Sequence, residues 1–172
     1  MTKRLLAAKA ISSGAAAAAI VFTRNIFDPA VAVSIVTAYF LAIYILDSLS
    51  TRREVAKLYF YLMAGISLVI GSFSLVQQDF PAIGAQLALA VPATYYLVLK
   101  VRTFWTNRSA SHGRQNLIIE ATLQFAVLAW VIISSSLFSS IDLVALFGVF
   151  SAYAAMLTVH WGIEATGPRR EG

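Results

Sequence analysis

Apolar runs of near-constant length follow one another along the chain, separated by short polar breaks. Six runs stand out, at about 5–22, 29–46, 58–76, 81–99, 117–137 and 143–163. A helix needs about 20 mostly apolar residues to cross the hydrocarbon core of a bilayer, with a range of about 17 to 25. The pattern therefore predicts an all-α polytopic membrane protein with six transmembrane helices. A helical period is not separable within the runs, because a lipid-facing helix is apolar nearly all round. Length and flanking charge carry the assignment instead.

The breaks are of two alternating kinds. The first, third and fifth are tight, reading TRNIFD, QQDF and SSLFSSID. The second and fourth, SLSTRREVAK and KVRTFWTNRSASHGRQN, are longer and basic. Of the 13 Lys and Arg, all but Arg24 fall at the N-terminus, in the two basic connections or at the C-terminus. Lys and Arg mark the cytoplasmic side of a membrane protein, so both termini are expected inside.

Composition agrees. Hydrophobic residues make up 59% of the 172 and charged residues 12%, against about 25% charged in soluble domains. A soluble domain of this size keeps too much surface exposed to hide so much apolar area. The net charge of +5 is explained by membrane orientation and anionic headgroups, not by nucleic acid. With no cysteine in the chain, disulfides, thiolate metal sites and thiol nucleophiles are excluded.

The first run has a rival reading as a secretory signal peptide, since a basic start precedes LLAAKAISSGAAAAAIVF. Lys9 and the Ser-Ser-Gly interrupt that run, and cleavage would orphan half of the repeat described next. A retained first span is the preferred reading, with Lys9 snorkelling toward the cytoplasmic headgroups.

The stretch FDPAVA at 27–32 returns as DFPAIG at 79–84. Setting 9–28 against 60–79 matches Gly14 with Gly65, Phe22 with Phe73 and Asp28 with Asp79. Allowing one extra residue, Phe80, then matches Pro29 with Pro81, Ala38 with Ala90 and Tyr44 with Tyr96. A weaker third copy aligns Asp142 with Asp28. The chain thus reads as three helical hairpins, about 5–47, 58–100 and 117–164, in one membrane domain. Being parallel, the copies suggest a pseudo-threefold axis along the membrane normal. Small residues such as Gly14, Ala15 to Ala19, Gly65, Gly71, Ser72, Gly84, Ala85 and Ala88 suit close helix packing.

Asp28, Asp79 and Asp142 are the only acids expected outside, one per tight turn. Aspartate followed by proline caps a helix N-terminus and suits its positive dipole end. The functional alternative is an outer acidic ring that titrates when the periplasm acidifies. Within the spans, Asp47, Lys100, Glu120 and His160 lie near the cytoplasmic ends, where snorkelling or interfacial pairing removes most of the cost of burial. They could instead line a cytoplasmic vestibule, with Gln124 on the same helix face as Glu120. No glycine-rich phosphate loop, HExxH or paired metal-ligand spacing occurs, so no catalytic residue, cofactor or metal is expected.

Paired spans, the Asp28-Pro29-Ala30 and Asp79-Phe80-Pro81-Ala82 turns and a repeat of about fifty residues resemble the HdeD-type acid-resistance family of small bacterial inner-membrane proteins. The resemblance covers about 5–163; the third copy departs from it, since Ser140-Ile141-Asp142-Leu143 has no proline. It implies a part in surviving acid or envelope stress and no catalytic residues. The first expectation is accordingly a non-enzymatic stress protein of the bacterial plasma membrane. An accessory subunit of a larger membrane complex and a small transporter or channel are the alternatives. The expected partners are the lipid bilayer, with other membrane subunits or further copies of the chain.

Overall fold

A computed structural model of the chain describes residues 2–23, 28–76, 81–106, 111–137 and 142–167. Among them are six α-helices and no strand: α1 (Lys3–Thr23), α2 (Pro29–Ser50), α3 (Glu54–Val76), α4 (Pro81–Thr106), α5 (Ser111–Leu137) and α6 (Leu143–Thr166). All six are long and apolar enough to cross a membrane. The chain is an all-α integral membrane protein.

The helices run past the apolar stretches at the end that carries the termini. There α2 continues to Ser50 and α3 begins at Glu54, so only 51–53 separate them. Likewise α4 runs on to Thr106 and α5 starts at Ser111. The two long connections expected from the apolar pattern are therefore largely helical. A helix satisfies its own backbone groups whether or not lipid surrounds it, so leaving the hydrocarbon does not oblige it to stop.

Each helix packs against its neighbours in sequence, and α1 packs most extensively against α6, which closes the bundle into a ring. The next most extensive contacts are α2 with α3 and α4 with α5. Within the ring, α2, α4 and α6 lie closer to the axis. Tyr44 of α2 stacks on Tyr96 of α4 with centroids 5.4 Å apart, and Tyr39 of α2 meets Phe150 of α6 edge-on at 5.4 Å. The largest fully buried side chains, Tyr44, Phe40, Phe147 and Phe150 foremost, are on these three helices, with the small Ser13 of α1 as the exception. Such aromatic pairs contribute about 0.5–1.5 kcal/mol each beyond burial.

Small residues act as spacers at some of the expected positions only. A methyl group on Gly71 would lie 2.6 Å from Thr37 Oγ1, and one on Gly84 would collide with Ser74. Ala85 and Ala88 are buried. Gly65, by contrast, has nothing within 4 Å of such a methyl, and Ser72 faces outward. These two positions, expected at helix contacts, are not. α3 is the least covered helix of the ring, and one of its sides must face lipid or a partner.

The turns at the end opposite the termini are capped as expected where they are described. Asp28 accepts a hydrogen bond from the Ala30 amide at 2.8 Å, with Pro29 opening α2. Asp142 accepts from the Ala145 amide at 3.0 Å and caps α6. Both are exposed. Asp79 lies outside the described residues.

Candidate functional site

The polar residues of the spans gather at the end of the bundle where the chain begins and ends. Lys3 of α1 donates from Nζ to the Gly167 carbonyl at 2.5 Å, which places the two ends side by side. Deeper in, two carboxylates on different helices receive the same kind of cover. Asp47 of α2 is ion-paired through Oδ1 with Lys9 of α1 and accepts the Tyr96 hydroxyl of α4 on Oδ2 at 2.8 Å. Glu120 of α5 is ion-paired through Oε2 with Lys100 of α4 and accepts the Trp161 indole N–H of α6 on Oε1 at 2.8 Å. One ammonium and one neutral aromatic donor thus serve each acid.

The two units touch. Lys9 Nζ lies 5.0 Å from the centre of the Trp161 ring, an arrangement that attracts by about 0.5–2 kcal/mol depending on desolvation. Both pairs line one small cavity together with Gln124 and Tyr153. Lys9, Asp47 and Gln124 are only 5%, 8% and 5% exposed. A lone charge at such a site would cost several kcal/mol; two cations against two anions, each hydrogen-bonded, remove most of that penalty.

From Glu120 the polar groups continue toward the terminal face. His160 Nε2 is 3.6 Å from Glu120 Oε1 and 3.9 Å from Glu164 Oε1, four residues along α6. Glu164 also accepts from the Asn116 side-chain amide of α5. Protonated, His160 would pair with either acid.

Of the residues singled out in the sequence, Lys100, Glu120 and His160 are thus brought into one contact set. Asp47 belongs to the neighbouring unit, across the shared cavity. Lys9 departs from expectation. It is buried and paired with Asp47 and does not snorkel to the headgroups. The reason is positional: it faces α2 and α6, and a carboxylate waits at its own depth. Six residues of α1 precede Lys9 and three of α2 follow Asp47, so both lie within two turns of the helix ends on the terminal side. Tyr96, Tyr153 and Trp161 gave no such sign, because aromatic residues near membrane interfaces are common.

Chemically, the arrangement can hold opposite charges, exchange protons among carboxylates, imidazole and hydroxyls, and accept a very small polar guest. Among the described residues no three His, Asp or Glu side chains converge as a metal-ligand set. A separate crevice of about 400 Å³ at the opposite end, between α1 and α6, is lined mainly by apolar side chains including Ile20, Val144 and Phe147. Comparison of the chain with protein-family models, with curated proteins and with solved structures found no match.

Proposed function

We propose that this chain is a non-enzymatic protein of the bacterial inner membrane that serves in acid or envelope stress, with both termini in the cytoplasm. In this reading it consists of three hairpin repeats about a pseudo-threefold axis, with α2, α4 and α6 as the inner member of each. The orientation follows the distribution of Lys and Arg, and it puts the Lys9–Asp47 and Lys100–Glu120 pairs in the cytoplasmic half. The observation that carries the reading is how the internal charges are disposed. The buried cations and anions are taken up by one another around a cavity of only about 10 Å³. That leaves no space for an organic substrate and favours a structural clamp over a reaction centre or transport path. Among the described residues, the acids at the far end are the caps, Asp28 and Asp142, both exposed.

Protonating a capping aspartate weakens its hydrogen bond and its attraction to the helix N-terminus. In this reading the tight turns are where acid from the periplasm acts. The test is acid survival of a deletion strain complemented with the wild-type chain or with Asp28→Asn, Asp79→Asn and Asp142→Asn combined. The combined variant is expected to reach the membrane in normal amount and to protect poorly. Full protection by it would remove the outer aspartates from the mechanism.

An accessory subunit is the second reading, and α3 is its support. Leu58, Tyr59, Tyr61, Leu62, Val69 and Phe73 are exposed on α3, an apolar and aromatic face suited equally to lipid or to another membrane subunit. Pull-down of the tagged chain from its native membrane in mild detergent, followed by intact mass, separates the two. Other subunits at fixed stoichiometry would establish the accessory role; the chain alone or with copies of itself would leave the autonomous one.

A further inference from the structure

The cavity between the two ion pairs is bounded by polar groups of Lys9, Asp47, Tyr96, Lys100, Glu120 and Gln124, which come from α1, α2, α4 and α5. Its volume of about 10 Å³ is at the lower limit for one water, which also needs two to four polar partners. Gln124 identifies what the space is for. Its side chain donates from Nε2 to the Tyr153 hydroxyl at 2.5 Å, and its Oε1, fully buried, has no partner among the protein groups. Flipping the amide does not help: Tyr153 would then donate to Oε1, and Nε2 would be left over. One polar atom of Gln124 stays unsatisfied in either orientation, which a buried amide does not tolerate without a partner.

The guest must also respect charge. Two ammoniums and two carboxylates already balance here, so an added ion would leave an uncompensated buried charge. A neutral molecule that both donates and accepts, no larger than water, meets size, charge and hydrogen bonding together.

We infer that the cavity binds one water molecule, which accepts from the ammonium of one pair and donates to Gln124 Oε1 and to the carboxylate of the other pair. This water joins the Lys9–Asp47 and Lys100–Glu120 pairs into a single hydrogen-bonded unit. The unit ties α1, α2, α4 and α5 at one point, and Trp161 brings in α6.

The full chain in lipid nanodiscs tests this by infrared spectroscopy in ordinary water and in water labelled with oxygen-18. A narrow O–H stretching band of internal water is expected, moving to lower frequency with the label. It should vanish in Gln124→Leu and in Gln124→Met, two apolar variants of similar size checked for helical content. Absence of a label-sensitive band in the wild-type chain overturns the inference, as does a band unaltered in either folded variant. The joining of the pairs has its own readout, the unfolding equilibrium in mixed micelles. Lys9→Met with Asp47→Leu, Lys100→Met with Glu120→Leu, and all four together should depart from additivity by about fivefold or more. Additive effects would show two independent pairs. Neither readout involves acid survival, so the water site and the stress role stand or fall separately.

Discussion

Lys9 and Asp47 are unequal to the sum of their separate effects. Removing either one leaves the other buried, 5% and 8% exposed respectively, with no charge to answer it. Lys9→Met or Asp47→Leu alone is expected to cost about 3–5 kcal/mol. The double variant should recover most of that loss, since a buried pair exchanged for apolar side chains is often neutral or better. Unfolding of the four proteins in mixed micelles measures the cycle. A loss in the double variant equal to the sum of the two single losses would mean that the pair forms no coupled unit. A smaller effect belongs to Asp142, whose exposed carboxylate holds one amide of α6. Asp142→Ala should cost about 0.5–2 kcal/mol by the same measurement. The composition of this site was partly legible in the sequence. An acid at 47, a base at 100, an acid at 120 and a histidine at 160 announce a polar level within apolar spans. Which base meets which acid was not legible, because that depends on how each helix is rotated, and an all-round apolar helix carries no mark of its rotation.

Helix-level tests turn on two glycines with different surroundings. Gly84 of α4 faces Ser74 of α3 so closely that a methyl would meet that residue's hydroxyl, its Cβ and, at 3.2 Å, its Cα. Since backbone cannot step aside cheaply, Gly84→Ala is expected to destabilise by about 1–3 kcal/mol. Gly65 of α3 has open space, so Gly65→Ala should be neutral or stabilising by up to about 1 kcal/mol through helix propensity. Thermal unfolding in the same detergent distinguishes them. If the two substitutions behave alike, the α3–α4 approach is looser than described. The sequence marked both glycines as small and no more; contact is a property of the pair. Helix existence and order, by contrast, followed directly from apolar run length, because each crossing needs about the same number of residues. Helix ends did not, since α2 through α5 keep their backbone pattern beyond the hydrocarbon on the terminal side.

For the whole molecule, ring closure is the property to test, and the absence of native cysteine makes a clean background. A methyl on Gly14 of α1 would sit 3.3 Å from Cγ2 and 3.5 Å from Oγ1 of Thr158 of α6, the two side-chain positions that a cysteine sulfur could take in reaching it. Gly14→Cys with Thr158→Cys should therefore cross-link on oxidation within one chain, giving a faster-migrating monomer on gels. Cross-links only between chains would point to closure by exchange with a second copy. Nothing in the hydropathy pattern could announce this seam, because the helices that form it are the most distant in sequence.

That seam also sets a timetable. A chain that enters the membrane from its N-terminus inserts α1 first and must wait for α6 before the most extensive interface of the bundle can form. During the wait, Lys9 can already meet Asp47, since α2 follows at once. The Trp161 ring beside its ammonium and the Ser151 hydroxyl that bonds the Ala17 carbonyl at 3.2 Å arrive only with the last helix. The early ion pair thus shelters a charge while synthesis is unfinished. Until α6 arrives, the flank of α1 that it covers stays open to lipid, so the most extensive interface of the ring is also the one formed latest.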